Sequence, residues 1–225
     1  MNGLLGLLIK DFKFFRAQRI FFLIILAIAG ISVFSSSDFG ASFLLIYFTV
    51  GGATFVISTI GLDEAENGSA FLFALPFSRR TYVIEKYIFA LLISAASWLI
   101  AALLRALFLL LHGMTSSPYT VFVQAFPVLL SALFMLVFLL PLTLHFGREK
   151  ASIAMMAVVF LAVILIGALP QLPALQSGVL RNINLLAETA AQITVPVLLF
   201  SLAGTLLLFA LSGLISLAII ERKEF

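Results

Sequence analysis

Apolar residues in this chain come in long runs, and the charged residues fall between them. Runs free of Asp, Glu, Lys and Arg cover residues 20–37, 39–62, 87–104, 151–169 and 194–220. The run that starts at 87 continues as a helical pattern past Arg105 to residue 111. A longer charge-free stretch after Arg105 is divided by His112-Gly-Met-Thr-Ser-Ser-Pro118, which leaves 119–144 as a further run. A helix rises ~1.5 Å per residue and the hydrocarbon layer is ~30 Å thick, so ~20 apolar residues cross it. The pattern therefore predicts six transmembrane helices, at about 20–37, 39–62, 87–111, 119–144, 151–169 and 194–220. No segment alternates apolar and polar residues as a membrane barrel strand must. The expected fold is all-α and polytopic, one membrane domain over residues 1–225 with no internal repeat.

The segment before the first span is different. Leu4, Leu5, Leu7, Leu8, Ile9, Phe12, Phe14 and Phe15 are interleaved with Lys10, Lys13, Arg16 and Arg19. This pattern predicts an amphipathic helix over residues 1–19, lying in the membrane interface. A signal peptide is the competing reading, with Ala27-Ile28-Ala29 as a cleavage-like triplet. The apolar run continues past that triplet, and the segment is taken as a retained span. On the outer side, 170–193 opens with Pro170 and Pro173, and a short surface helix is expected over 179–191. Gly51-Gly52-Ala53, Ser94-Ala-Ala-Ser97 and Gly204 offer small faces for close helix approach.

Six spans put both termini on one side. That side carries Lys10, Lys13, Arg16, Arg19, Arg79, Arg80, Lys86, Arg148, Lys150, Arg222 and Lys223, while the other carries only Arg181. Such a bias marks the cytoplasmic face, so both termini are expected in the cytoplasm. The composition agrees: 63% hydrophobic and 10% charged over 225 residues excludes a soluble domain, a disordered chain and a coiled coil. The net charge of +3 then belongs to a face that meets anionic headgroups of the lipid bilayer, not to a nucleic-acid site. The absence of cysteine excludes disulfides, thiolate metal sites and cysteine nucleophiles. The two histidines, His112 and His145, fall near opposite membrane faces and cannot share a metal ion. Asn67-Gly68-Ser69 fits a glycosylation acceptor, but it falls on the cytoplasmic side and is read as chance.

The segment between the second and third spans holds the densest mixture of charge and Phe. Asp63 is a candidate helix cap with Glu66 at the third position, as in a capping box, and Glu64 and Glu66 suit a helix N-terminus. Phe71, Leu72, Phe73, Leu75 and Phe77 are too apolar to face water alone. Leu75-Pro76 ends the short helix, and Ser78 can cap the third span. From the residues alone two readings stay open: an interfacial helix whose aromatics sit in lipid, or a cytoplasmic helix that docks on a partner.

The acidic pair, the Leu-Pro-x-Ser-Arg-Arg run ending at Arg80 and the Tyr82-Val-x-x-Lys-Tyr87 run resemble the small permease subunits of ABC-2-type exporters. Lys10-Asp11-Phe12 and the six-span layout are similar too. The nearest subgroup exports amphipathic toxic peptides such as phenol-soluble modulins, and related permeases serve bacteriocin self-protection. The resemblance implies a multi-pass subunit of a bacterial plasma membrane, with a second permease copy in a homo- or heterodimer and a cytoplasmic ATP-binding subunit. It implies a coupling helix at about 64–74, with Asp63, Glu64, Glu66, Phe71 and Phe73 as candidate contacts to that subunit. Lys10, Asp11 and Lys13 on the N-terminal helix are further candidates. ATP and Mg are expected in the partner, and no cofactor or metal in this chain, which lacks the Gly-x-x-x-x-Gly-Lys-Ser/Thr phosphate loop. The chain is thus expected not to be an enzyme.

No acidic residue falls inside an expected span, which disfavours coupling to an ion gradient. Arg105 is the single cation there. It either snorkels to the outer headgroups or lines a translocation path. Pro127, Pro141 and Pro196 can kink their spans. The 24 Phe mostly serve lipid contact and packing, and some can line an adaptable apolar path. Expected cargo is an amphipathic peptide or hydrophobic small molecule. The alternatives are a lipid or drug exporter, a bacteriocin-immunity protein, and a small channel or transporter that needs no ATP.

Overall fold

The structure, a computed structural model, describes residues 2–17, 20, 24, 27, 38–64, 78–112, 118–154, 157 and 195–222. Every element among them is a helix: α1 (Asn2–Ala17), α2 (Asp38–Glu64), α3 (Arg79–Leu111), α4 (Pro118–Phe146) and α5 (Val195–Arg222). A further helical stretch begins at residue 148. Among the described residues, α2 to α5 are the four helices long and apolar enough to cross a membrane. The chain is an all-α polytopic membrane protein. Most of the expected first and fifth spans and of the 64–74 helix, and all of the 179–191 helix, lie outside the described residues.

The ends of these helices follow from local chemistry. Pro118 opens α4, where its missing N–H costs nothing. Pro196 sits in the first turn of α5 for the same reason, so only Pro127 and Pro141 of α4 occupy helix interiors. Ser78 caps α3, its hydroxyl oxygen accepting the Thr81 N–H at 3.2 Å. Asp63, expected to cap a following short helix, lies inside α2, and the residues that it would cap lie outside the described ones. Residues 63 and 64 are the last turn of α2, which runs on through the acidic pair. Carboxylates are unfavourable at a helix C-terminus, and their partners, described below, supply the compensation.

Helix α3 starts eight residues before the expected third span and is 33 residues long. At ~1.5 Å per residue it is about 50 Å long, so roughly two turns or more extend beyond a ~30 Å hydrocarbon layer. It is also the central element, packing against α1, α2, α4 and α5, while α4 lies along α5 and α2 touches α4. One apolar core, with Val56, Ile60, Phe89, Ile93, Leu136 and Leu140, joins α2, α3 and α4 towards the charged end of the bundle. A second, around Leu45, Phe48, Trp98, Ala101 and Leu129, fills the other half. Trp98 donates its indole N–H to the Ala125 carbonyl at 2.9 Å and meets Phe122 edge-on.

Small residues set the helix spacing where two spans meet most closely. A Cβ at Gly52 would stand 2.2 Å from the Ser97 hydroxyl oxygen, so α2 and α3 approach through the expected Gly and Ser faces. Gly204, the third of those faces, has no atom within 4 Å of where a Cβ would stand.

Candidate functional site

The polar groups gather at one end of the bundle. That end holds α1, the last turn of α2, the first turns of α3, the last turns of α4 and α5, and the start of the helix at 148. Its centre is Lys86, fully buried on α3. The Lys86 Nζ donates to Asp11 Oδ2 at 2.5 Å and to the Thr59 hydroxyl at 3.1 Å, and it pairs with Asp63 Oδ2 at 2.8 Å. Lys10 pairs with Asp63 and lies 3.3 Å from Asp11. The Tyr82 hydroxyl donates to Asp63 Oδ2 at 3.2 Å.

Two lysines and two aspartates thus share a site at which three helices meet. A lone buried charge is very costly, whereas a paired and hydrogen-bonded one is tolerated. Each carboxylate here meets both ammonium groups, and Lys86 finds three oxygen partners for its three protons. The network fixes the register of α1 against α2 and α3. Helix α1 follows the same logic: Leu7, Asp11 and Phe14 recur at i, i+4 and i+7 and form its inward face. Phe14 stacks on Phe55 at 5.5 Å, and Asp11, 1% exposed, sits between the two apolar residues.

Glu85 is the discordant member. It is completely buried, neither carboxylate oxygen has a hydrogen-bond partner among the described residues, and Lys86 Nζ lies 3.9 Å away. Of the other described acids, Asp38, Asp63, Glu64, Glu149 and Glu221 sit at helix ends and Asp11 lies within α1. Glu85 lies within α3 itself, because that helix begins earlier than the apolar run.

Further ties surround the network. The Arg148 backbone N–H donates to Glu64 Oε2 at 3.0 Å. Arg79 donates to the Ile220 carbonyl at 3.3 Å, a cation at the end of α5 where the helix dipole favours one. Arg80 pairs with Glu221 at 2.6 Å in an exposed position. Deeper in the bundle the Tyr87 hydroxyl lies 2.7 Å from the Ser212 hydroxyl and 2.8 Å from that of Ser216. Ser212 in turn donates to the Val137 carbonyl at 2.6 Å, so α3, α4 and α5 share one polar chain.

The structure brings Lys10, Asp11 and Asp63 together in one network, with Glu64 beside it. Lys13 is exposed on α1. Glu66, Phe71 and Phe73 lie outside the described residues. Arg105 stands near the other end of the bundle, donating to the Gln124 side-chain oxygen on α4 at 3.0 Å. Lys86, Tyr82, Thr59 and Glu85 were not anticipated. Lys86 carries a signal in the sequence all the same: it adjoins Glu85 at the mouth of a long apolar run, where a cation that only marks topology needs no acidic neighbour. Asp11 carries another, as an acid on the apolar side of an amphipathic helix. His112 and His145 stand at the ends of α3 and α4, on opposite ends of the bundle.

Residues 6–221 match a family model described as ABC-2 family transporter protein. No curated protein and no solved structure matches the chain.

Proposed function

The chain belongs to the ABC-2 family of transporter proteins, and on that premise we propose that it is the permease subunit of an ATP-driven exporter. The proposed cargo is an amphipathic or hydrophobic molecule, with toxic peptides preferred over lipids and drugs. The observation that carries the reading is the buried Lys86–Asp11–Asp63–Lys10 network. It joins three helices at the start of the 64–74 segment, which is proposed to dock on a cytoplasmic ATP-binding subunit.

The chemistry favours that division of labour. The chain has no phosphate loop, so the ATP is bound by a separate polypeptide. Force applied beyond residue 64 reaches α1 through Lys10 and Asp11, and α3 through Lys86 and Tyr82. Because α3 packs on α1, α2, α4 and α5, movement of its first turns is felt through the whole bundle. Two permease copies would enclose the path, with both termini of each in the cytoplasm. Arg105, tied to Gln124 near the other end, is positioned to meet an acidic group on a passing cargo or lipid.

A second reading, transport driven by an ion gradient, has one observation in its favour: Glu85 is buried in a membrane helix without a hydrogen-bond partner among the described residues. The two readings part in one experiment. In proteoliposomes holding the assembly purified through a tag on this chain, amphipathic peptides should stimulate ATP hydrolysis more than lipids or drugs do. Cargo flux that needs no ATP and follows an imposed proton gradient would favour the second reading.

A further inference from the structure

Asp63 and Glu64 are adjacent, yet they hold different parts of the molecule. Successive residues of a helix point about 100° apart, so one helix end can reach two neighbours. Asp63 turns to Lys10, Lys86 and Tyr82. Glu64 turns to the elbow between α4 and the helix that begins at residue 148. At that elbow Gly147 has φ +82°, a left-handed conformation that favours glycine. The Gly147 N–H donates to the Thr143 carbonyl at 2.8 Å, and its carbonyl accepts the Ala151 N–H at 3.1 Å. The Arg148 N–H, which neither helix can use, donates to Glu64 Oε2. A carboxylate on an unsatisfied N–H at a helix start is favourable in both hydrogen bonding and dipole.

The surroundings are close-fitting. A Cβ at Gly147 would stand 3.1 Å from Glu64 Oε2, and one at Gly61 would stand 2.1 Å from the Arg148 Cδ. Both glycines let the end of α2 approach the elbow closely, from opposite sides of the same contact.

We propose that Glu64 is a positioning residue that fastens the start of the helix at 148 to the end of α2, so that the two move as one. The pair Asp63 and Glu64 is then a fork. One branch carries movement of the α2 end to α1 and α3, and the other carries it to the chain that follows residue 148. The source of that movement rests on the ATP-driven reading above, whereas the fastening does not.

The chain contains no cysteine, so spin labels can be placed at Leu62→Cys, Ile153→Cys and Leu107→Cys, all exposed positions. The labelled full chain is reconstituted in nanodiscs with the ATP-binding subunit that purifies with it, diluted with unlabelled chain. Electron paramagnetic resonance distances are then read with and without ATP, Mg and vanadate. The 62–153 pair should give one narrow peak. It should broaden or split in Glu64→Ala and in Gly147→Ala, and stay narrow in Glu64→Gln, which keeps an acceptor oxygen. On vanadate trapping, the 62–107 and 153–107 distances should both shift in the unaltered chain. In Glu64→Ala the first should still shift and the second should not, and Glu64→Gln should restore the second. A 62–153 peak as narrow in Glu64→Ala and Gly147→Ala as in the unaltered chain overturns the fastening, as does a full shift of 153–107 in Glu64→Ala. If no distance responds to nucleotide, the ATP-driven reading fails instead, and the 62–153 peak alone decides for or against the fastening.

Discussion

Lys86 and Glu85 are neighbours with opposite energetic roles. Lys86 has three oxygen partners, and removing it leaves Asp11 buried with only Lys10 to balance it. Lys86→Met should therefore destabilise the chain by about 3–5 kcal/mol, the usual cost of breaking a buried pair from one side. Asp11→Asn combined with Lys86→Met should recover part of that loss. Thermal unfolding in a mild detergent checks both. Glu85 has no hydrogen bond to lose among the described residues, so Glu85→Gln should leave the unfolding temperature unchanged or raise it. A marked drop would mean that Glu85 has a partner in the working assembly. These residues also show where the sequence was legible. Lys10, Asp11 and Asp63 stood out through the family resemblance, as contacts to a partner subunit and not to one another. Their common partner did not, since Asp11 and Lys86 are 75 residues apart and a salt bridge across that distance leaves no local trace.

Helix identity and length were written in the apolar runs, because nothing but a helix satisfies its backbone inside lipid. The Ser78 cap and the Gly52 contact were legible for local reasons: an N-cap needs a short polar side chain, and close approach needs a missing Cβ. The start of α3 was not, because charge counting ends a run at Lys86 while the helix needs only a buried partner for that charge. Two contacts between elements are open to test. Tyr87→Phe removes the hydroxyl that joins α3 to Ser212 and Ser216 on α5, and should cost about 0.6–1.7 kcal/mol, the range for hydrogen bonds between membrane helices. Gly52→Ala should destabilise the α2–α3 contact, with Ser97→Gly restoring it, because the added Cβ meets both the Ser97 Cβ and its hydroxyl oxygen. Failure of that rescue would show that the added methyl disturbs something other than Ser97.

For the molecule as a whole, the charged end is a place of convergence. Six parts of the chain meet there, and three of them, α1, α2 and α3, share one set of buried charges. Among the described residues, the opposite end is held by apolar packing and contacts such as Arg105–Gln124. Such polarity suits a permease that receives work on one face. Its residues are recorded in the sequence only as a bias of basic side chains, which gives a face but no connections. The central claim is that this face is built to receive an ATP-binding subunit. The most direct measurement is affinity purification of the tagged, unaltered chain from its native cells in a mild detergent, followed by mass spectrometry of what accompanies it. The account predicts a stoichiometric partner carrying a Gly-x-x-x-x-Gly-Lys-Ser/Thr loop, retained when ATP hydrolysis is blocked. A chain that purifies without any such protein, and still moves cargo across liposome membranes, would contradict it.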